Sequence, residues 1–104
     1  MARSGTGGWT FLTNHAHVLV CIAENPDILG REIATEVGIS ERAVQGIIRD
    51  LVTAGYVVRE RSGRRNHYTI NPDGGLRHPL EAEHTVGELL TMLGRLTQSE
   101  AQPS

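Results

Sequence analysis

Six of the ten arginines in this chain fall within residues 42–70: Arg42, Arg49, Arg59, Arg61, Arg64 and Arg65. A guanidinium stays charged and presents its donors as a planar fork, which matches the paired oxygens of a phosphate or carboxylate. Only Asp50 and Glu60 interrupt the run, so this segment carries +4, whereas residues 1–41 and 71–104 carry −3 each. The overall charge of −2 therefore conceals a local field that attracts polyanions. All ten basic residues are arginine. A GC-rich genome also produces that bias, so the weight rests on where the arginines sit. Their neighbours could take part in the same recognition: Ser40, Glu41, Gln45 and Gly46 accompany Arg42 and Arg49, while Gly63 and Asn66 accompany Arg61, Arg64 and Arg65.

These residues need elements to hold them. Apolar residues at helical spacing (Leu12, Ala16, Leu19, Val20, Ala23) predict a first helix from near Thr10–Asn14 to about Glu24, stopped by Asn25-Pro26-Asp27. Ile28-Leu29 reads as a very short strand. A second helix is expected over 30–37, with Ile33 and Val37 inward, followed by a turn at Gly38-Ile39. Ser40 is a good N-cap for a third helix over about 41–54, and Glu41 suits its positive dipole end. Val44, Ile47, Ile48, Leu51 and Val52 form its buried stripe, which leaves Arg42, Gln45, Gly46 and Arg49 outward. Gly55 ends that helix, and two strands over 56–61 and 67–70 flank a turn at 62–66. Residues 71–75 read as a loop by composition.

Four positions carry more than periodicity. Ala34, Gly38, Val44 and Ile47 are spaced A-x3-G-x5-V-x2-I. Two helices crossing steeply need a small residue where they approach, which Ala34 supplies. Gly38 offers the positive φ that turns the chain, and Val44 and Ile47 fill the crevice. With an arginine-bearing hairpin directly afterwards, residues 10–72 resemble a winged helix-turn-helix domain. The chain is similar to small bacterial regulators of the MarR-like and ArsR-like groups. It departs from ArsR-like sensors in having a single cysteine, Cys21, on the first helix, and from MarR-like proteins in having too few residues for all their terminal helices.

The resemblance implies an α+β, mainly α fold, with a three-helix core plus a β-hairpin wing, and double-stranded DNA as partner. It implies that the third helix enters the major groove. Arg42 would there donate two hydrogen bonds to a guanine and Gln45 would do the same for an adenine. Ser40 would touch a phosphate, Arg49 would neutralise one, and Gly46 would let the helix approach closely. The wing, with Arg61, Gly63, Arg64, Arg65 and Asn66, would lie along the backbone or reach into the minor groove, where arginine gains from a strong negative potential. The rival reading is a winged-helix module for protein–protein or RNA contact without operator binding.

Beyond the wing, Thr85-x-x-Glu88 is a capping-box signature, so a helix is expected over about 85–96. Ala82, Val86, Leu89, Leu93 and Leu96 are spaced 4, 3, 4, 3, an a/d heptad pattern that predicts a dimer seam; Leu90, also expected there, widens the stripe, so part of it could pack on its own domain. Trp9 and Phe11 could contribute to it, and Gly87 and Gly94 could permit close helix approach. The expected organisation is a flexible end at 1–8, the winged domain at 9–75, a C-terminal helical dimerisation segment at 76–96 and a flexible tail at 97–104.

Other chemistry finds less support. His15 and His17 are two apart on a helix and diverge. His78 and His84 beside Glu81 and Glu83 could form a carboxylate–imidazole pair across a dimer, but scattered surface histidines and acids are usually solvated, and no metal or other cofactor is expected. Cys21 reads as a small core residue. Nothing suggests a nucleotide-binding loop, a nucleophile elbow or a catalytic triad, so an enzyme is not expected. The first residues lack a signal-peptide pattern and the longest apolar stretch, 18–23, is far too short to span a membrane. A cytoplasmic homodimer is the expectation.

Overall fold

The computed structural model of the chain describes residues 8–94. Helices α1 (Asn14–Glu24), α2 (Gly30–Val37) and α3 (Glu41–Thr53) come first. An antiparallel hairpin of β1 (Val57–Ser62) and β2 (Arg65–Ile70) follows, then a 3-10 turn at Pro79–Glu81 and helix α4 (Val86–Met92). This is the three-helix core plus wing that the sequence implies, and α2 has the predicted bounds.

Local chemistry explains the joints. Gly38 adopts φ 85° and ψ 36°, and its N–H and that of Ile39 both donate to the Ala34 carbonyl (2.8 and 3.1 Å). A side chain at that left-handed position would be strained, so glycine ends the helix and turns the chain. Ser40 Oγ accepts from the Ala43 N–H at 3.0 Å and opens α3. Gly55, at φ 86°, performs the corresponding turn into the hairpin.

One aliphatic core unites these elements. Val18 and Ile22 from α1, Ile33 from α2, Val44 and Ile48 from α3, and Val57 from β1 are almost wholly enclosed. The buried face of α1 is Val18, Leu19, Cys21 and Ile22, rotated from the predicted stripe. Ala16 and Leu12 are only half-buried, and Val20 and Ala23 pack at the core's margin. Cys21 is a core residue, with its thiol donating to Glu36 Oε1 at 3.4 Å. Tyr68 is buried too, so its ring serves packing.

Three expectations are corrected. Ile28-Leu29 forms no strand. The third position of the sheet reduces to a single bond, the Tyr68 N–H to the Pro26 carbonyl at 2.9 Å, and Pro26 has no N–H with which to extend a ladder. The hairpin turn is also tighter than 62–66. Ser62 pairs with Arg65, leaving Gly63 and Arg64 alone at the tip, and Gly63 at φ 65° supplies the positive dihedral that two-residue hairpin turns demand.

The third correction concerns the C-terminal seam. Val86 and Leu90, expected at a dimer interface, are 5% and 0% exposed within the protomer and belong to the same core as α1–α3. Their face of α4 is already covered, which removes them from any surface a second copy could touch. Ala82 lies outside α4, because Thr85 adopts an extended backbone and pairs with Gly75 as an isolated bridge. Leu89 is half-buried, Leu93 and Met92 are exposed, and Leu96 lies outside the described residues.

The capping box is present. Thr85 Oγ1 accepts from the Glu88 N–H at 3.1 Å and Glu88 Oε1 accepts from the Thr85 N–H at 2.8 Å. That backbone bond, with His84 beside it, holds the Glu88 carboxyl below the usual glutamate range. A carboxyl with a lowered pKa contributes while ionised, so this cap weakens as the pH falls through its titration. Gly87 serves the loop, not a helix partner. A Cβ there would lie 2.7 Å from the Pro72 carbonyl oxygen, whose acceptor already takes the Gly87 N–H at 2.9 Å.

Candidate nucleic-acid interface

The outer face of α3 carries Glu41, Arg42, Gln45 and Arg49 in solvent, with Ser40 exposed at its N-cap and Gly46 half-buried among them. Arg42, Gln45 and Arg49 follow one another by three and four residues, so they share a stripe opposite Val44, Ile47, Ile48 and Leu51. Gln45 also reaches toward α2. A Cβ on Gly30 would stand 2.8 Å from Gln45 Nε2, so the absence of a side chain at Gly30 lets the carboxamide lie across the first turn of α2.

Gly46 is the exception in a helix of otherwise ordinary formers. A Cβ there would meet only Arg49 Nη2, at 3.8 Å, an ordinary contact, so nothing among the described residues requires glycine. Gly46→Ala is expected to raise stability by about 1 kcal/mol through helix propensity, measured as a shift in denaturant midpoint. The same variant is expected to lose affinity for a duplex if the bare backbone serves close approach.

In the wing, Arg61, Arg64 and Arg65 are exposed and Asn66 is half-buried. Arg64 stands at the tip beside Gly63, whereas Arg65 and Asn66 are strand residues paired with Ser62 and Arg61. Arg61 Nε donates to the Gly63 carbonyl at 3.2 Å, stiffening the turn. Arg65 Nη1 donates to the Asp27 carbonyl at 2.9 Å, which ties it to the loop between α1 and α2. His67, next on the same face of β2, places Nδ1 at 2.7 Å from Asp27 Oδ1. Behind α3, His15 Nε2 lies 2.8 Å from Asp50 Oδ2, joining α1 to the second half of that helix.

Neither Asp27 nor His67 emerges from the sequence as a site residue. Asn25-Pro26-Asp27 signals only a helix stop, and the partners lie 38 and 40 residues apart, beyond any local pattern. Every ion pair among the described residues joins a histidine to a carboxylate. No arginine is therefore paired with an acid among the described residues, and Arg42, Arg49, Arg61, Arg64 and Arg65 are all exposed. Among the described residues no group of three or more histidine, cysteine or acidic side chains is arranged to hold a metal ion. None of the helices there is long and apolar enough to cross a membrane.

Comparison with known proteins bears on this arrangement. The family model described as the MarR family matches residues 10–65, from the approach to α1 through the first residue of β2. The chain belongs to the MarR family. Of the two groups it resembles by sequence, the matching model is thus the MarR one. Among solved structures, MepR, a transcription regulator of the Staphylococcus aureus multidrug efflux pump MepA, aligns with a TM-score of 0.52 at 14% identity, over 84% of this chain and 67% of its own. At that identity the likeness is one of fold. The zinc-dependent MarR family transcriptional regulator AdcR, in its Zn(II)-bound state, aligns with a TM-score of 0.46 at 21% identity, over 91% of this chain and 68% of its own. No curated protein matches the chain.

Proposed function

We propose that this MarR-family chain is a sequence-specific double-stranded DNA-binding transcription regulator that acts in the cytoplasm as a homodimer on a near-palindromic operator. The observation that carries the reading is the set of exposed arginines on α3 and the wing, none of them paired with a carboxylate among the described residues. Unneutralised guanidinium groups on a helix and a hairpin suit a polyanion with grooves and a regular backbone. Family membership and the fold shared with MepR, itself a transcription regulator, support the same reading.

In this proposal Arg42 and Gln45 read base edges in the major groove from the stripe of α3. Ser40, Glu41 and Gly46 frame the entry of the helix, and Arg49 meets a phosphate. Arg61 and Arg64, with Gly63 shaping the turn and Asn66 paired with Arg61 behind it, take the backbone or the minor groove. Dimerisation falls to the residues that α4 leaves uncovered. Leu93 and the exposed Met92 are on the described surface with half-buried Leu89, and Leu96 continues the spacing. Trp9 and Phe11 are 71% and 92% exposed and stack edge-to-face with centroids 5.1 Å apart. An aromatic pair so exposed suits burial against a second copy. A twofold axis would set half-sites about one helical turn apart.

The test is duplex binding by fluorescence anisotropy over a salt series, using fragments from upstream of the protein's own gene. Affinity is expected to fall linearly on a log–log plot, with a slope of about −0.9 per phosphate contacted. Binding to no duplex at low salt, or equal preference for single-stranded RNA, would overturn the reading in favour of a protein or RNA module.

A further inference from the structure

A two-stranded hairpin is marginal by itself, so a wing must be fastened to act at a fixed place. The root of this one is secure. Val57 and Tyr68 are buried, the Asn71 N–H donates to the Tyr56 carbonyl at 2.8 Å, and the Tyr56 hydroxyl donates to the Gly75 carbonyl. Toward the tip, the hydrogen bonds from the hairpin to the rest of the described protein converge on two residues, Pro26 and Asp27. The Tyr68 N–H meets the Pro26 carbonyl, His67 meets the Asp27 carboxylate, and Arg65 meets the Asp27 carbonyl. Arg65 and His67 alternate with Asn66 and so project from the same face of β2. The receiving loop is itself braced. Asn25 Oδ1 accepts from the Asp27 N–H at 3.1 Å, the Ile28 N–H donates to the Asn25 carbonyl at 3.0 Å, and Pro26 has a fixed φ.

We propose that Asp27 is a positioning residue for the wing: its carboxylate and carbonyl anchor His67 and Arg65, so that the Gly63-Arg64 tip is presented at a set distance from α3. This rests on the duplex-binding reading above. The groups facing His67 are Asp27 across the loop, Glu60 opposite it on β1, and Arg65 two residues earlier on its own face. Glu60 is exposed and makes no bond to the imidazole, so the pair chosen is the one that crosses to the body of the protein. The two tip-proximal arginines then divide the labour. Arg64 serves the duplex, and Arg65 commits at least one donor to the protein's own backbone.

A negative charge beside a DNA-binding surface gives this idea a test of sign. If Asp27 acted only through its charge, removing it would tighten binding to a polyanion, whichever residue replaced it. An anchor behaves otherwise. Asp27→Ala is expected to weaken duplex binding about three- to tenfold, the net effect of one hydrogen bond at a half-exposed position. The slope of affinity against salt should not change, because every phosphate keeps its arginine. Asp27→Asn keeps an oxygen acceptor for the imidazole N–H and is expected to restore binding to within about twofold of the parent. Arg64→Ala is the contrast, weakening all sequences alike and lowering the salt slope by about one.

A second readout needs no DNA. In the free protein, 15N heteronuclear NOE values at residues 63–66 are expected to fall in Asp27→Ala and recover in Asp27→Asn, with Val57 and Tyr68 unchanged. Tighter binding by both variants, or tip amides as ordered in Asp27→Ala as in the parent, overturns the proposal. Should the tip respond to Asp27 while the parent protein binds no duplex, the anchor stands and the duplex-binding reading is what fails.

Discussion

Arg42→Ala is expected to cost about 1–3 kcal/mol of duplex-binding free energy and to relax preference at one base position. Arg42 stands in the first turn of α3, exposed, on the stripe shared with Gln45 and Arg49, and no acid among the described residues competes for it. The N-terminal half of a recognition helix points at base edges, where a bidentate arginine discriminates guanine from the other bases. Affinity and preference together separate base reading from phosphate binding. If Arg42 held a phosphate, alanine would weaken every sequence equally and reduce the salt slope. If it reads a base, alanine flattens the preference at one position and moves affinity for the best site most. Selection from a randomised duplex library with parent and variant measures both. If affinity and preference are unchanged, the assigned docking of α3 is wrong.

The elements that hold Arg42 are legible in the sequence because their signals are local. Gly38 must turn the chain and Ser40 must cap α3, and each does so with neighbours a few residues away. The same holds for Thr85 and Glu88, whose reciprocal bonds span three residues. Periodicity locates α2 and α3 for a related reason. Their apolar stripes are narrow and face one core, so the 3.6-residue repeat identifies the buried side. It fails at the inner face of α1, where apolar residues occupy most of the surface and several stripes fit equally well. Burial at Val18, Cys21 and Ile22 then depends on which neighbours the other helices present.

The hairpin turn is shorter than composition suggests because Arg65 and Asn66 resemble turn residues by type. What extends β2 is the cross-strand pairing of Ser62 with Arg65 and the bond from Arg65 to Asp27. Neither has a local signature. The fastening of the wing is invisible in the sequence for the same reason: its partners come from segments separated by the whole helix-turn-helix. The arginine set of the candidate interface can be read from spacing, whereas the residues that orient it require the tertiary structure.

The C-terminal segment shows a different ambiguity, and Leu90→Ala resolves it with a large effect. A 4-3 apolar spacing is shared by a coiled-coil seam and by a helix lying on its own domain; only burial separates them. Leu90 is 0% exposed and joins Val86 in a core with α1–α3. Truncation there removes a fully enclosed side chain, so Leu90→Ala is expected to destabilise the fold by about 2–5 kcal/mol, seen as a lower denaturant midpoint. Leu93 and Met92 are 36% and 72% exposed. Leu93→Ala is expected to change intrinsic stability little and to raise the dimer dissociation constant, measured by sedimentation over a concentration series. The two positions thus report on different equilibria. The destabilisation from Leu90→Ala should persist in a dilute, monomeric sample, because its partners belong to the same chain. If it appeared only at concentrations where the protein self-associates, α4 would belong to the subunit contact and the single core described for the protomer would be wrong.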